Sequence, residues 1–268
     1  IYTSSCSLGL IDVDCNLWHK DMLSLLLEKD ETETPDCFQI LNVDDLKGTA
    51  VALLTPSSTL SEAERGLQAL QQYHGNIRLK TTVGVHPYHV NDKELHDTSM
   101  DDQMRYAESL INKHRDWIAA VGECGLDATS GFPPIDQQLP WFQSQIQLAQ
   151  KVQLPLFVHE RLAFDETLRL LDGIHNIPVI IHCFTGTVEQ CQTYVKQGYS
   201  ISISGYIFRQ DEEAQDVRLC LEQGIIPLDR LMIETDAPYM GFSGCRERYI
   251  AKNAEIVQKL NAKQRKKL

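Results

Sequence analysis

Eight short runs of apolar and β-branched residues recur along this chain, separated by longer stretches of helical periodicity, and that alternation restricts the fold more than any other feature. The runs are Leu8–Asp12, Thr49–Leu54, Arg78–Val85, Trp117–Gly122, Leu154–Val158, Pro178–His182, Tyr199–Ser204 and Leu231–Glu234. Strands alternating with helices build βα units around a parallel sheet, and eight such units are the number that closes a (β/α)8 barrel. An open doubly wound sheet uses the same ingredients, so it is the count that favours closure. At 268 residues one barrel accounts for the whole of 1–268 as a single domain.

Helices are expected between the runs. Ser61–Tyr73 carries Ser61 and Glu64 in capping-box spacing, and Asp136–Gln153 places Leu139, Phe142, Ile146 and Ala149 on one face. His159–Leu171, Val188–Gln197 and Glu212–Gln223 supply further crossovers, the last two stopped by Gly198 and Gly224. The final helix is weakly written: Lys252–Leu260 turns Ala254, Val257 and Leu260 to one side, and the barrel is expected to be short of a full last helix. The basic ending NAKQRKKL reads as a solvated helix end or the start of a further segment before it reads as a localisation patch.

Composition narrows the partners. A formal charge of −12 argues against a broad nucleic-acid-coating surface, which would neutralise many phosphates with Lys and Arg, but leaves room for a local site that holds one phosphate. No apolar run reaches the roughly 18–20 residues of a membrane span, so no membrane partner is expected. Eight scattered cysteines with no CxxC pair fit reduced thiols in an intracellular compartment, cytoplasmic or nuclear, and a monomer is expected.

Ligand-type side chains gather at the C-terminal ends of the expected strands, the rim where a barrel carries its active site. Glu123 follows the fourth run, His159 the fifth, His182 closes the sixth, and Asp236 lies just past the eighth. A single His at a strand end is usually a satisfied structural residue, and a single carboxylate there usually caps a helix. Two of each on one rim form a mixed nitrogen and oxygen set suited to zinc, manganese or magnesium.

Five motifs at these places carry a family resemblance: GVHPY at Gly84–Tyr88, GECGLD at Gly122–Asp127, LPLFVHER at Leu154–Arg161, HCFTGT at His182–Thr187 and ETDAPY at Glu234–Tyr239. In this order and spacing they resemble the TatD family of DNases over nearly the whole chain, Leu10 to about Arg246. The resemblance implies a TIM-barrel hydrolase related to the amidohydrolases, with one or two divalent ions (Mg, Mn or Zn), cleaving phosphodiester bonds as a DNA exonuclease, with RNA as a second candidate substrate. It implies metal ligation by Glu123, His159 and His182, with Asp236 a ligand or the general base for the attacking water. Catalytic roles fall to Asp236, Glu123 and His86, and His86 would contact substrate phosphate beside the metal.

One departure concerns the first strand. Many relatives carry HxH there, whereas DVDCNL at Asp12–Leu17 places Asp14 and Asn16 in those positions, as some family branches also place an Asn. Two readings stay open: Asp14 offers an oxygen to Mg or Mn, or this first site has decayed and one metal remains. Arg161 and Thr185 are further candidates for phosphate, as is Arg209, although a surface pairing or an ordinary polar turn explains each as simply. Cys124 and Cys183 flank ligand candidates and are expected to be buried thiols turned to the other side of the pleat. Trp18 and His19 are placed to stack on a base, but a loop aromatic packed on the barrel is the plainer reading.

The chemistry needs these residue types because a phosphodiester repels hydroxide, so its charge must be neutralised while a nucleophile is made at neutral pH. A metal-dependent hydrolase of small-molecule amides or esters uses the same ligands, and a non-catalytic scaffold could keep the barrel alone. Against the scaffold, all four remaining ligand types are present.

Overall fold

The structure, a computed structural model, describes residues 10–19, 50–73, 77–210, 212–245, 247, 251 and 258. Eight parallel strands form one sheet in chain order: β1 Leu10–Asp12, β2 Ala50–Thr55, β3 Arg78–Val83, β4 Ile118–Asp127, β5 Leu156–Arg161, β6 Val179–His182, β7 Ser200–Ile203 and β8 Leu231–Ile233. The seam between β8 and β1 is joined by backbone bonds rather than a regular ladder: Val13 N–H donates to Ile233 O at 3.2 Å, Asp236 N–H to Asp14 O at 2.8 Å and Asn16 N–H to Ala237 O at 3.0 Å. Asp12 strengthens the seam by accepting from Thr235 N at 2.9 Å and Thr235 Oγ1 at 2.8 Å. The expected barrel is therefore present. Leu8, Gly9 and Thr49 of the first two runs lie outside the described residues.

The helices are α1 Leu60–Gln71, α2 Lys93–His96, α3 Met100–Lys113, α4 Ile135–Val152, α5 Phe164–Leu171, α6 Val188–Lys196 and α7 Glu213–Glu222, with 3-10 turns at Pro87–His89, Arg115–Trp117 and Gly205–Phe208. Strands alternate their faces, so each buries one set inside the barrel and the other under the helices. The outer set, among it Val121, Leu126, Leu156, Val158, Ile181 and Ile201, merges with Phe142, Ile146, Leu171 and Tyr194 of the helices into the main core. Inside the barrel, Phe157 packs with Leu54 and Ala120 as a floor. Among the described residues no helix is long and apolar enough to cross a membrane.

Three boundaries differ from the sequence reading. The cap of α1 falls two residues earlier: Thr59 Oγ1 accepts from Glu62 N at 3.1 Å, while Glu62 Oε2 accepts from Ser58 N at 2.7 Å. The helix expected from His159 begins instead at Phe164, because β5 runs on through Arg161. Likewise β4 continues five residues past Gly122, to Asp127, carrying Glu123 inside the strand. Of the short helix expected at Lys252–Leu260 only Gln258 is described, in helical conformation, and the rest of that segment lies outside the described residues.

Candidate metal centre

The site begins with register. β4, β5 and β6 pair so that Gly125 stands opposite His159 and His159 opposite His182, which sets the two imidazoles side by side on the inner face. This close approach depends on glycine: a Cβ on Gly125 would lie 1.9 Å from His159 O, and one on Gly122 would lie 2.4 Å from Phe157 O. Both glycines also adopt positive φ, 145° and 139°, a region L-residues avoid. The glycines of GECGLD thus let β4 press onto β5 and deliver Glu123 to the histidines.

Glu123 Oε1 lies 2.7 Å from His182 Nε2, 3.1 Å from His159 Nδ1 and 3.4 Å from His86 Nε2. His159 Nδ1 and His182 Nε2 are themselves 3.3 Å apart. The outer nitrogen of each ring faces a carboxylate. His159 Nε2 meets Asp127 Oδ2 at 2.8 Å, and His182 Nδ1 meets Asp14 Oδ2 at 3.2 Å and Glu234 Oε1 at 3.6 Å. His159, donating from Nε2 to Asp127, presents a lone pair at its inner nitrogen, the arrangement of carboxylate, histidine and metal found in metalloenzymes, while the outer nitrogen of His182 only lies near its carboxylates.

His86 is different. Its Nδ1 accepts from Tyr88 N at 3.2 Å, so a neutral ring carries its proton on Nε2, aimed at the cluster. Burial, the largest influence, pulls its pKa below the usual histidine range and keeps it neutral. It stands as a hydrogen-bond donor beside the other two rings, 4.6 Å from His159 centroid to centroid.

Five carboxylates are sunk here: Asp14 is 0% exposed, Asp127 3%, Glu123 6%, Glu234 7% and Asp236 8%. Burial alone would raise Glu123, but the charges and hydrogen bonds of His182, His86 and His159 outweigh it and hold the carboxyl well below its ordinary range. Burial would also discharge His182, yet Glu123, Asp14 and Glu234 drive its pKa well up. His159 is raised against burial by Asp127 and Glu123. Asp14 is pushed well up by burial, and Asp236 to about 6 by burial first, with Glu234 and Glu123 adding to it against His182. So much buried negative charge requires cationic compensation.

A divalent ion fits that requirement. Two nitrogens held about 2.0–2.1 Å from one ion at a tetrahedral angle stand roughly 3.3–3.4 Å apart, and the inner nitrogens are separated by 3.3 Å. Asp14 Oδ2, His182 Nδ1 and Glu234 Oε1 are also buried without a hydrogen-bond partner. Two overlapping groups of closely placed donor atoms result, His86, Glu123 and His159 in one, and Asp14, Glu123 and His182 in the other. Glu123 belongs to both groups, and with the Nε2 proton of His86 pointing inward, Glu123, His159, His182 and Asp14 are the members that could offer lone pairs to an ion.

The remaining expected residues join less directly. Asp236, at φ 49° on the rim, accepts from Asn16 Nδ2 at 3.2 Å, and the same Asn16 Nδ2 lies 3.1 Å from Asp14 Oδ1. Asn16 thus links the two acids. Arg161 lies two residues beyond His159 on β5 and faces Asp127 in register, its Nε buried and unpartnered. Thr185 sits half-buried in the loop after β6. Thr187 is committed to capping α6 by accepting from Gln190 N at 3.3 Å. Trp18 packs against α1, where a Cβ on Gly66 would meet its indole at 2.8 Å, as the plainer reading expected. His19 meets Tyr239 edge-on at 5.3 Å.

Cys124 is a buried core thiol facing away, near Phe157 O at 3.6 Å. Cys183 departs from expectation: at φ 45° its Sγ lies 3.3 Å from Ser204 Oγ and close enough to influence Asp236, so it is not turned from the site. Burial pushes its pKa well up, leaving it a thiol.

Sequence reasoning missed Asp127 and Glu234 behind the histidines, and Phe132, which stacks on His159 at 6.2 Å and 17°. It also missed two fully buried glutamines of α4. Gln138 accepts from Asp127 N at 2.8 Å and donates to Asp127 O at 2.8 Å, and Gln145 does the same for Val85 at 2.7 and 3.0 Å. Seven residues apart, they fix the backbone at Asp127 and next to His86.

A parallel barrel with histidines and carboxylates converging at the C-terminal rim has the form of a metal-dependent hydrolase. The family model for TatD related DNase matches residues 11–267, and the chain belongs to that family. It is 33% identical to the 3′-5′ ssDNA/RNA exonuclease TatD of Rahnella over 76% of this chain and 73% of that one. The Salmonella typhimurium protein of the same name is 32% identical, over 74% and 73%. Among solved structures, a TatD family hydrolase from Entamoeba histolytica superposes with a TM-score of 0.70 at 29% identity, covering 87% of this chain and 75% of that one.

Proposed function

We propose that the chain is a metal-dependent exonuclease that trims ends of single-stranded DNA, with RNA within its range, through a divalent ion held by Glu123, His159 and His182. One observation carries the metal site: two imidazoles present inner nitrogens 3.3 Å apart against one carboxylate oxygen, while their outer nitrogens rest on buried acids. The names of the curated relatives support the polarity and the single-stranded substrate.

The ion, when bound, neutralises phosphate charge and lowers the pKa of water at the site. Asp236, buried on the rim and held by Asn16, takes the proton of the attacking water. His86 donates its Nε2 proton in a hydrogen bond to a phosphate oxygen. Arg161, with its buried Nε uncommitted, binds a second phosphate oxygen. Asn16 holds Asp236 in place, and Asp14 orients His182. Thr185 is proposed as a weaker phosphate contact from the loop after β6. With Asp14 serving His182, one ion is favoured over two, and a nitrogen-rich pair favours Zn or Mn over Mg. Free thiols at all six described cysteines support a reducing intracellular compartment.

The test compares substrates. His86→Ala and Arg161→Ala should lower turnover of a phosphodiester oligonucleotide by 10-fold or more, on the order of two lost charge-assisted contacts, and leave slow carboxyl-ester hydrolysis within about 2-fold. Equal losses on both would remove the phosphate assignment and move the chain to small-molecule hydrolysis.

A further inference from the structure

Beside the metal centre lies a cleft of about 330 Å³ that the chemistry above does not use. Its walls are Tyr206, Phe208 and Arg209 on one side and Tyr239, Met240 and Phe242 on the other. Tyr239 connects the two places: its N–H donates to Asp236 O at 2.8 Å, so the turn that carries the acid also forms the cleft wall.

The cleft is built rather than incidental. A Cβ on Gly205 would lie 2.4 Å from Met240 O and 2.9 Å from the Phe242 ring, so the 3-10 turn Gly205–Phe208 can pack this closely on the second wall only through glycine. Arg218 of α7 holds the turn's exit by donating to Ile207 O at 3.0 Å and to Arg209 O. Phe208 and Phe242 are already in ring contact, 4.4 Å apart at 37°. Yet Phe208 is 54% exposed and Tyr239 62% exposed, so neither ring is spent on the core.

We infer that this cleft is a nucleobase-stacking subsite, which takes one base of the single strand next to the phosphate being cut. Every base has a π-face, and aromatic platforms bind single strands with little sequence preference. The Phe208 ring, tilted against Phe242 and more than half exposed, offers an aromatic surface on which a base can stack. The guanidinium of Arg209, 5.2 Å over the Tyr206 ring, adds positive charge at the edge of an acidic protein. A duplex end cannot present an unpaired base here without fraying, so the subsite also gives a physical reason for preferring single strands.

The inference rests on the nuclease reading, and the experiment separates the two. The kcat/KM of the metal-loaded protein is measured on a short single-stranded oligonucleotide and on versions with an abasic residue at each position near the cleaved end. Wild type should lose roughly 10- to 50-fold at one position, the range expected for a stacked base. Phe208→Ala should show a similar loss on the intact strand and no further loss at that abasic position, and Phe208→Trp should restore the wild-type pattern. Losses that multiply in Phe208→Ala, or a Phe208→Ala enzyme equal to wild type on the intact strand, overturn the subsite alone. A wild type that cleaves no oligonucleotide with any metal overturns the nuclease reading and the subsite with it.

Discussion

Replacing Asp127 by Asn changes a single atom type behind the metal centre and tests whether the tautomer of His159 is set from outside. Both oxygens of Asp127 are acceptors: Oδ1 takes Thr129 N–H at 2.7 Å and Oδ2 takes His159 Nε2–H at 2.8 Å. An amide has one acceptor and one donor end, so it cannot serve both. With its NH2 toward the ring, His159 must accept at Nε2 and carry its proton on Nδ1, the atom that faces Glu123 and His182. With the amide flipped, NH2 confronts the Thr129 N–H, and that part-buried donor loses its acceptor. Gln138 clamps the backbone of Asp127 on both sides, so the side chain cannot escape by moving the strand. Loss of an outer carboxylate of this kind weakens metal affinity or activity by roughly 10- to 100-fold, about 1.4–2.8 kcal/mol. Titrating chelator-stripped protein with Mn or Zn and reading the half-saturating concentration for activity should show that loss, with much of kcat recovered at saturating metal. An Asp127→Asn protein with wild-type metal affinity and turnover would refute the orientation argument.

Other expectations follow from the same contacts. Gly125→Ala places a methyl 1.9 Å from His159 O at a positive φ, so it should destabilise by several kcal/mol, on the order of 3 or more, read as insoluble expression or a lowered denaturant midpoint. Gln145→Leu removes both bonds to Val85 while keeping the volume, and should cost about 2–4 kcal/mol by chemical denaturation through two unmet buried backbone groups, with His86 displaced and kcat lowered. Adding a divalent ion to chelator-stripped protein should stabilise the fold by mass action, by about 2.7 kcal/mol at 100 times Kd, read as a rise in Tm. His182→Ala should abolish that rise, and a rise that survives would place the ion elsewhere.

Much of the barrel was legible because strands buried on both faces must be nearly continuous apolar runs, as Pro178–His182 and Leu154–Val158 are. The same rule hid the end of β4. GECGLD contains two glycines and two acids and resembles a loop by composition, yet it is strand because those glycines allow contact with β5. Ending the strand at Gly122 concealed Asp127, which alternation along an extended strand would have set on the face of Glu123. Similarly, His159 looked like the start of a helix because β5 carries charge at His159, Glu160 and Arg161. Glu160 turns outward instead, accepting from Ala163 N at 2.9 Å and Tyr194 Oη at 3.2 Å. Helix α3 went unread because Met100–Lys113 is mostly polar, with only Ala107, Leu110 and Ile111 fully buried. The ligands themselves were visible as residue types at strand ends. Glu234 stood in the ETDAPY motif but read as the end of a strand, and the supports Gln138 and Phe132 come from the loop and helix after β4, where no strand-end spacing points to them.

The most direct test of the central claim is cleavage of end-labelled single- and double-stranded DNA by protein stripped with chelator and refilled with Mg, Mn or Zn, beside a Glu123→Ala, His182→Ala double variant. The predicted result is cleavage that returns with metal, proceeds from an end, favours the single strand and is absent in the variant. Metal-restored cleavage that persists in the double variant, or tight metal binding with no cleavage of any strand, would contradict it.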